Sequence, residues 1–229
     1  MHTTGPSKTR PSLDAEARFW AQGLRYVAGL DEVGRGPWAG PVYAAAVILP
    51  ALPDGLAAME GVRDSKMLSE AQRVRLTTAI LATAVAAAIG RAEAAEIDAL
   101  GIVPATRLAM RRALAALAVT PEALVIDALT LPGVALPQDA FPYADARSLS
   151  VAAASILAKT RRDAWMATVA EAQFPGYGFA QHKGYGTRRH REALARLGVT
   201  PLHRRSFRPI AEFADAGHPD DQQEKAPAQ

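Results

Sequence analysis

Apolar residues follow two rhythms along this chain. Unbroken runs at 26–30, 41–49 and 123–126 have the length of buried strands, and Val, Ile, Leu and Ala dominate them. Pro41 opens the second run, a place where a strand tolerates proline. Other segments carry apolar residues at helical spacing. Ser69 can cap a helix N-terminus, and good helix formers follow it. Residues 103–117 predict a second helix with Pro104 near its start. Residues 150–172 predict a long one, apolar on one side, with Lys159, Arg161, Arg162 and Asp163 elsewhere. Residues 187–197 predict a basic helix that stops at Gly198. The alanine-rich stretch 80–95 fits neither template, because alanine favours helix but gives little periodicity and Gly90 interrupts it. Strands interleaved with helices predict an α/β domain.

Residues 1–13 and 214–229 are polar and rich in Pro, Asp, Gln and Thr, and are expected as disordered tails around one domain, 14–213. With 229 residues, 49% of them hydrophobic, a sizeable core is possible without staples. The absence of cysteine excludes disulfides, thiolate metal sites and cysteine nucleophiles. No apolar run reaches the roughly 18 residues that span a bilayer, and the polar start lacks the apolar region of a signal peptide. The expectation is a cytoplasmic protein with no membrane association.

Net charge is only +3, but it is unevenly spread. Residues 180–208 hold eight basic side chains, Lys183, Arg188, Arg189, Arg191, Arg196, Arg204, Arg205 and Arg208, against Glu192. Such a cluster attracts polyanions; a solvated helix face explains the charge equally well.

The candidate chemistry lies in the acids. Asp31 and Glu32 end the first apolar run, and Arg35 follows between Gly34 and Gly36. Asp127 ends the third run, and Asp145 precedes a helix start marked by Ser148 and Ser150. In α/β sheets, sites gather at strand ends. Consecutive strand residues face opposite ways, so Asp31 and Glu32 share a site only if the chain leaves strand geometry there. Gathered carboxylates repel one another unless a cation neutralises them, and Mg²⁺ takes oxygen ligands of this kind. Metal and phosphate together suggest phosphodiester chemistry. Taken singly, Asp127 or Asp145 is as readily a cap or a surface charge.

The glycines at 34, 36 and 40 do not form a dinucleotide-binding turn, because the spacing is wrong and a strand follows where a helix is required. Lys66, just before the Ser69 helix, is a plausible phosphate contact or an ordinary loop lysine. Tyr185 sits between Gly184 and Gly186, where a ring can lie flat against a sugar or base, or simply fill a turn. His182, His190 and His203 are too scattered to suggest zinc.

In combination these strings resemble the type 2 ribonucleases H, the ribonuclease HII family. They are GLDEVGRGPWAGPV (29–42), DSKMLS (64–69), IDAL (126–129), ADARSLSVAAASILAKTRRD (144–163), GYGFAQHKGYGTRRHREAL (176–194) and HRRSF (203–207). The resemblance covers about residues 25–213, nearly all of the expected domain. It implies a ribonuclease H-like fold, a central mixed five-stranded sheet flanked by helices with a helical C-terminal segment. It also turns residues 84–91 into a strand. The implied activity is hydrolysis of the RNA strand of RNA–DNA hybrids, with cutting 5′ of single ribonucleotides embedded in duplex DNA, leaving 3′-hydroxyl and 5′-phosphate ends.

The resemblance further implies Mg²⁺ or Mn²⁺ held by Asp31, Glu32, Asp127 and Asp145. The Gly34-Arg35-Gly36 backbone is then expected on the ribose 2′-hydroxyl, Tyr185 on the following deoxyribose, and Lys66 on the strand backbone, with Lys183 a further substrate contact. Met67 departs from a position where a second lysine is common, and Tyr143 from one that is often basic. A monomer is expected, with sliding-clamp docking on the tail an open alternative. Two rival readings stand beside this one. A non-catalytic nucleic-acid-binding module of the same fold should lack one of the acids. A dinucleotide oxidoreductase would need a helix after its glycines.

Overall fold

The computed structural model describes residues 10–51 and 56–215. Most of both expected tails, 1–9 and 216–229, lies outside them. Ser12, within the first tail, is ordered: its N–H donates to the Arg147 carbonyl at 3.0 Å, and its own carbonyl accepts from Leu149 N–H at 2.8 Å. The chain divides into two compact units. One takes in residues up to Val33, Tyr43–Arg91 and Thr106–Arg161; the other takes in Gly34–Val42, Ala92–Ala105 and the chain from Arg162 on.

The first unit is built on a five-stranded sheet. Its strands are β1 (Val27–Val33), β2 (Val42–Ile48), β3 (Ala86–Ala92), β4 (Ala123–Asp127) and β5 (Gln138–Phe141), in the order β3-β2-β1-β4-β5. β1 runs antiparallel to β2 and parallel to β4, and β5 is parallel to β4, so the sheet is mixed as expected. The helices around it begin with α1 (Asp14–Trp20) and α2 (Glu70–Thr83). Ser69 caps α2 in a reciprocal box: it accepts from Gln72 N–H while the Gln72 side chain accepts from Ser69 N–H. α3 (Ala94–Leu100) belongs to the second unit, while α4 (Ile102–Ala115) and α5 (Leu149–Trp165) lie in this one for most of their length. α5 packs Ala152–Ala154, Ile156 and Leu157 into a core with Val47 and Leu49 of the β2 segment and Leu76 and Ile80 of α2. A second cluster joins Phe19 of α1 to Val27, Val125 and Val151.

Two glycines let helices approach this sheet closely. A Cβ on Gly29 would lie 2.2 Å from Ser150 Oγ and 2.5 Å from Val151 N, at the start of α5. A Cβ on Gly90 would lie 2.2 Å from the Ala109 carbonyl oxygen of α4. Gly90 thus interrupts no helix: it sits in β3, where the resemblance placed a strand.

The second unit is largely helical. The long helix expected over 150–172 gives up α geometry at Trp165. It widens to a π turn over Met166–Ala170 and ends as α6 (Glu171–Gln173). α7 (Phe179–His182), α8 (Arg188–Leu197) and α9 (Arg208–Asp215) follow. Thr187 caps α8, and Gly198 ends it at φ 72°. Met166, Tyr177, Phe179, Leu194 and Ile210 form the core of this unit.

One expectation about the site fails at the level of the backbone. β1 does not break at its acids. Asp31 stays in register with Ala45, Glu32 with Ala44 and Val33 with Tyr43, and the chain leaves the strand only at Gly34. Pairing with β2 sustains extended geometry through both carboxylates, so the pleat separates their Cβ directions.

Candidate active site

Sheet register brings the first and third acids side by side. Leu30 pairs with Ile126 across the parallel β1–β4 ladder, so Asp31 and Asp127 each come one residue later on neighbouring strands. After Asp127 the chain turns sharply, with Ala128 at φ 55°. Asp145 arrives on a one-turn 3₁₀ segment, Ala144–Ala146, just ahead of α5. That turn is tied to β4, because Ala144 N–H donates to Asp127 Oδ1 at 2.8 Å. Asp31 and Asp145 are both buried, each 5% exposed. Glu32 follows Asp31 directly, and its N–H donates to Asp31 Oδ1 at 2.7 Å.

The acids also act on one another's charge. Asp31 is held well above the usual carboxylate range, first by burial and then by the neighbouring Glu32, with Asp127 and Asp145 adding to the effect; a hydrogen bond from Ser155 opposes it. Asp145 is pushed up to about 6 by burial, then by Asp64 and Asp127, against the pull of Lys66. Burial alone would lower the Lys66 ammonium, yet Asp64 and Asp145 more than offset it and raise its pKa. The Lys66 amine lies 3.9 Å from Asp145 Oδ2 and 4.0 Å from Asp64 Oδ1. Lys66 is therefore a cation on the rim of the acid cluster.

Two residues of this cluster escaped the sequence reading. Asp64 is a further carboxylate, hydrogen-bonded to Asp145 and accepting from Lys66 N–H at 2.9 Å. Its place in the DSKMLS string was the available signal. Ser155 is the other, a hydroxyl on the apolar side of α5, 2.9 Å from that of Ser65.

An all-oxygen, mutually repelling donor set suits a hard divalent cation. Among the described residues no three His, Asp or Glu side chains are drawn together closely enough to enclose an ion by themselves. Mg²⁺ is content with that, since it keeps several waters and takes phosphate oxygens from substrate.

The remaining predicted residues belong to the second unit. Gly34 leaves β1 at φ 93°, Arg35 is half-buried and Gly36 is exposed. A Cβ added to Gly36 would meet only the Tyr185 ring, at 3.9 Å, so the two predicted contacts adjoin. Lys183 is turned inward: its amine donates to the Ala180 carbonyl, and its own carbonyl accepts from Arg162 at 3.1 Å.

The three histidines that looked scattered come together here. His182 and His190 stack at 4.4 Å between centroids, and His190 Nε2 lies 3.0 Å from His203 Nε2. Their nitrogens are committed to the fold. His203 Nδ1 accepts from Thr200 N–H at 2.9 Å, so its proton sits on Nε2 and points at His190. His190 Nε2 then accepts, and its Nδ1–H donates to the Tyr185 carbonyl at 3.0 Å. His182 accepts from Gly184 N–H and donates to the Tyr177 carbonyl. The cluster is a neutral hydrogen-bond chain with no nitrogen left for a metal.

The family model for ribonuclease HII matches residues 28–210 of this chain. A ribonuclease HII from Chloroflexus aurantiacus is 54% identical over 206 residues, 88% of this chain and 95% of that protein. This chain belongs to the ribonuclease HII family. As a ribonuclease HII it is an endoribonuclease of the ribonuclease H type. Solved structures share the fold. Ribonuclease H2 from Pyrococcus horikoshii has a TM-score of 0.67 at 24% identity, covering 83% of this chain and 98% of its own. The ribonuclease HII of a PCNA complex from Archaeoglobus fulgidus has a TM-score of 0.64 at 27% identity, covering 78% and 93%. Among the described residues, no helix is long and apolar enough to cross a membrane.

Proposed function

We propose that this ribonuclease HII is a divalent-metal-dependent endonuclease that hydrolyses the RNA strand of RNA–DNA hybrids. It also cuts 5′ of single ribonucleotides embedded in duplex DNA, leaving 3′-hydroxyl and 5′-phosphate ends. The observation that carries this reading is the approach of Asp31, Asp127 and Asp145, two of them buried and held above the carboxylate range; Glu32, although the pleat turns its Cβ the other way, stays near enough to raise Asp31. These acids hold the cation, and Lys66 offsets negative charge at the rim, to which Asp64 adds. When bound, Mg²⁺ or Mn²⁺ would supply an activated water and neutralise the leaving oxygen of an in-line displacement. The Gly34-Arg35-Gly36 backbone follows the acids directly in the chain and is assigned to the ribose 2′-hydroxyl, the group that marks RNA. The Tyr185 ring, beside Gly36, packs on the next sugar. Lys66 reaches a backbone phosphate, and Lys183 contributes after its amine leaves Ala180.

The test is a duplex with one embedded ribonucleotide, incubated with Mg²⁺ or Mn²⁺. Cleavage 5′ of that nucleotide supports the reading. No cut, beside an active control enzyme, ends it. Asp31→Asn is expected to abolish cleavage and largely spare binding. Binding with no metal-dependent turnover would favour the non-catalytic alternative, against which the full set of four acids counts. The proposal carries a monomeric, cytoplasmic protein with it. Clamp docking is a separate arm, suggested by the Archaeoglobus relative and tested by co-elution with this organism's own sliding clamp.

A further inference from the structure

Arg204 is fully buried, and its guanidinium is spent on backbone carbonyls. It donates to the Gly34 carbonyl at 2.6 Å, to that of Arg35 at 2.9 Å, and twice to that of Gly40, at 3.0 and 2.8 Å. Burying a guanidinium is costly. Here burial, and then the nearby Arg162, push its pKa down to about 9, with Asp98 opposing. Arg162, equally buried, donates to the carbonyls of Ala39, Pro41 and Lys183. Asp98 fixes the segment that carries Arg204, accepting from Arg205 N–H, Ser206 N–H and the Ser206 hydroxyl. Two cations thus gather the carbonyls of one loop on its inner side.

A trans peptide is planar, so the C=O of one residue and the N–H of the next point opposite ways. With the Gly34 carbonyl turned in to Arg204, the Arg35 N–H is turned out. With the Arg35 carbonyl turned in, the Gly36 N–H is turned out beside the Tyr185 ring. Gly36 N–H makes no hydrogen bond among the described residues. Two successive outward amides form a concavity that receives an anion or a hydroxyl oxygen.

We propose that Arg204 is the positioning residue of ribose recognition: by capturing the Gly34 and Arg35 carbonyls it aims the Arg35 and Gly36 amides at the ribonucleotide. This rests on the function proposed above and names the device that gives the loop its polarity. Arg204 touches no reacting atom in this scheme.

The experiment compares the wild type with Arg204→Lys, which keeps the charge but loses the fork. Affinity for a duplex with one ribonucleotide and for the matching all-DNA duplex is measured without divalent metal. Circular dichroism and thermal melting check folding. The expected result is a loss of at least about tenfold in preference for the ribonucleotide duplex, with all-DNA affinity within about threefold. A folded variant with its preference unchanged overturns the proposal. If Arg204→Lys does not fold, wild-type amide shifts decide. Arg35 and Gly36 N–H signals should move downfield with the ribonucleotide duplex and not with all-DNA; unmoved signals overturn the inference. Wild-type cleavage is scored in parallel. If the wild type fails to cut, the functional reading fails; if it cuts and the variant keeps its preference, only Arg204's role fails.

Discussion

Ser155 hydrogen-bonds the carboxylate of Asp31, and its hydroxyl oxygen lies 2.9 Å from that of Ser65. Asp31 is buried among acids that all favour its neutral form, so this donor, together with the Glu32 N–H, stabilises the charged form a cation requires. Ser155→Ala should therefore weaken Mn²⁺ binding by about tenfold or more at neutral pH. The deficit should shrink at higher pH, where Asp31 ionises without help. Calorimetric Mn²⁺ titrations at two pH values check this. Equal affinity in wild type and variant would show that Ser155 only packs.

Asp145 gives the metal-free protein a definite pH response. Its folded-state pKa of about 6 lies above the ordinary carboxylate value. The stability it contributes is fully present below about pH 4 and is lost as pH rises through 6. Asp145→Asn should accordingly raise the metal-free melting temperature at pH 8 by several degrees, with little effect at pH 4. It should also abolish most of the metal-induced rise in melting temperature. Scanning calorimetry with and without Mg²⁺ separates the two effects. A variant less stable than wild type at pH 8 would show that Asp145 is already balanced in the free protein.

Much of this architecture was legible because its signals are local. The Ser69 cap, the apolar runs of β1, β2 and β4, and the stop at Gly198 are each written in a few adjacent residues. β3 was not, because Ala86–Ala92 carries the propensity of a helix. Its strand geometry is set by neighbours, with Gly90 pressed against α4. β5, half-buried along its length, has no apolar run to reveal it. The four acids were visible as strand ends and a helix start, but their proximity depends on the Leu30–Ile126 register, which no local pattern encodes. Asp64, Ser155 and Arg204 act across long sequence separations, and nothing adjacent to them in the chain announces their partners.

Gly29 is part of the motif that carries the first acids, yet its role is spatial. A Cβ there would lie 2.4 Å from the Ser150 carbonyl carbon and 2.5 Å from Val151 N, both backbone atoms that cannot swing aside. Gly29→Ala must push α5 off the sheet, and both Asp31 and Asp145 depend on that helix: Ser155 lies along it, and Asp145 just precedes it. The expected cost is about 2–3 kcal/mol of stability, read by urea unfolding, with a fall in metal affinity alongside. A variant of unchanged stability would mean that the α5 start yields easily.

The histidine chain predicts acid lability with the opposite sign to the carboxylates. Burial, and then the neighbouring His190, hold His203 down to about 3; burial holds His190 down to about 4. Depressed values mean that the stability these groups contribute is present above about pH 6.5 and is lost as pH falls toward 4 and then 3. Asp31 and Asp145 gain stability over part of the same range, so the total curve of the wild type hides the effect. A difference measurement exposes it. His203→Asn keeps an oxygen where Nδ1 accepts from Thr200 but cannot take up a proton. The stability advantage of wild type over this variant should be constant from pH 8 to 7, then fall by up to about 1.4 kcal/mol per pH unit below 6.5. Urea unfolding across pH 5 to 8 measures it directly. A pH-independent difference would mean that His203 takes up its proton inside the folded protein, and the neutral chain running from Thr200 to the Tyr185 carbonyl would have to be redrawn.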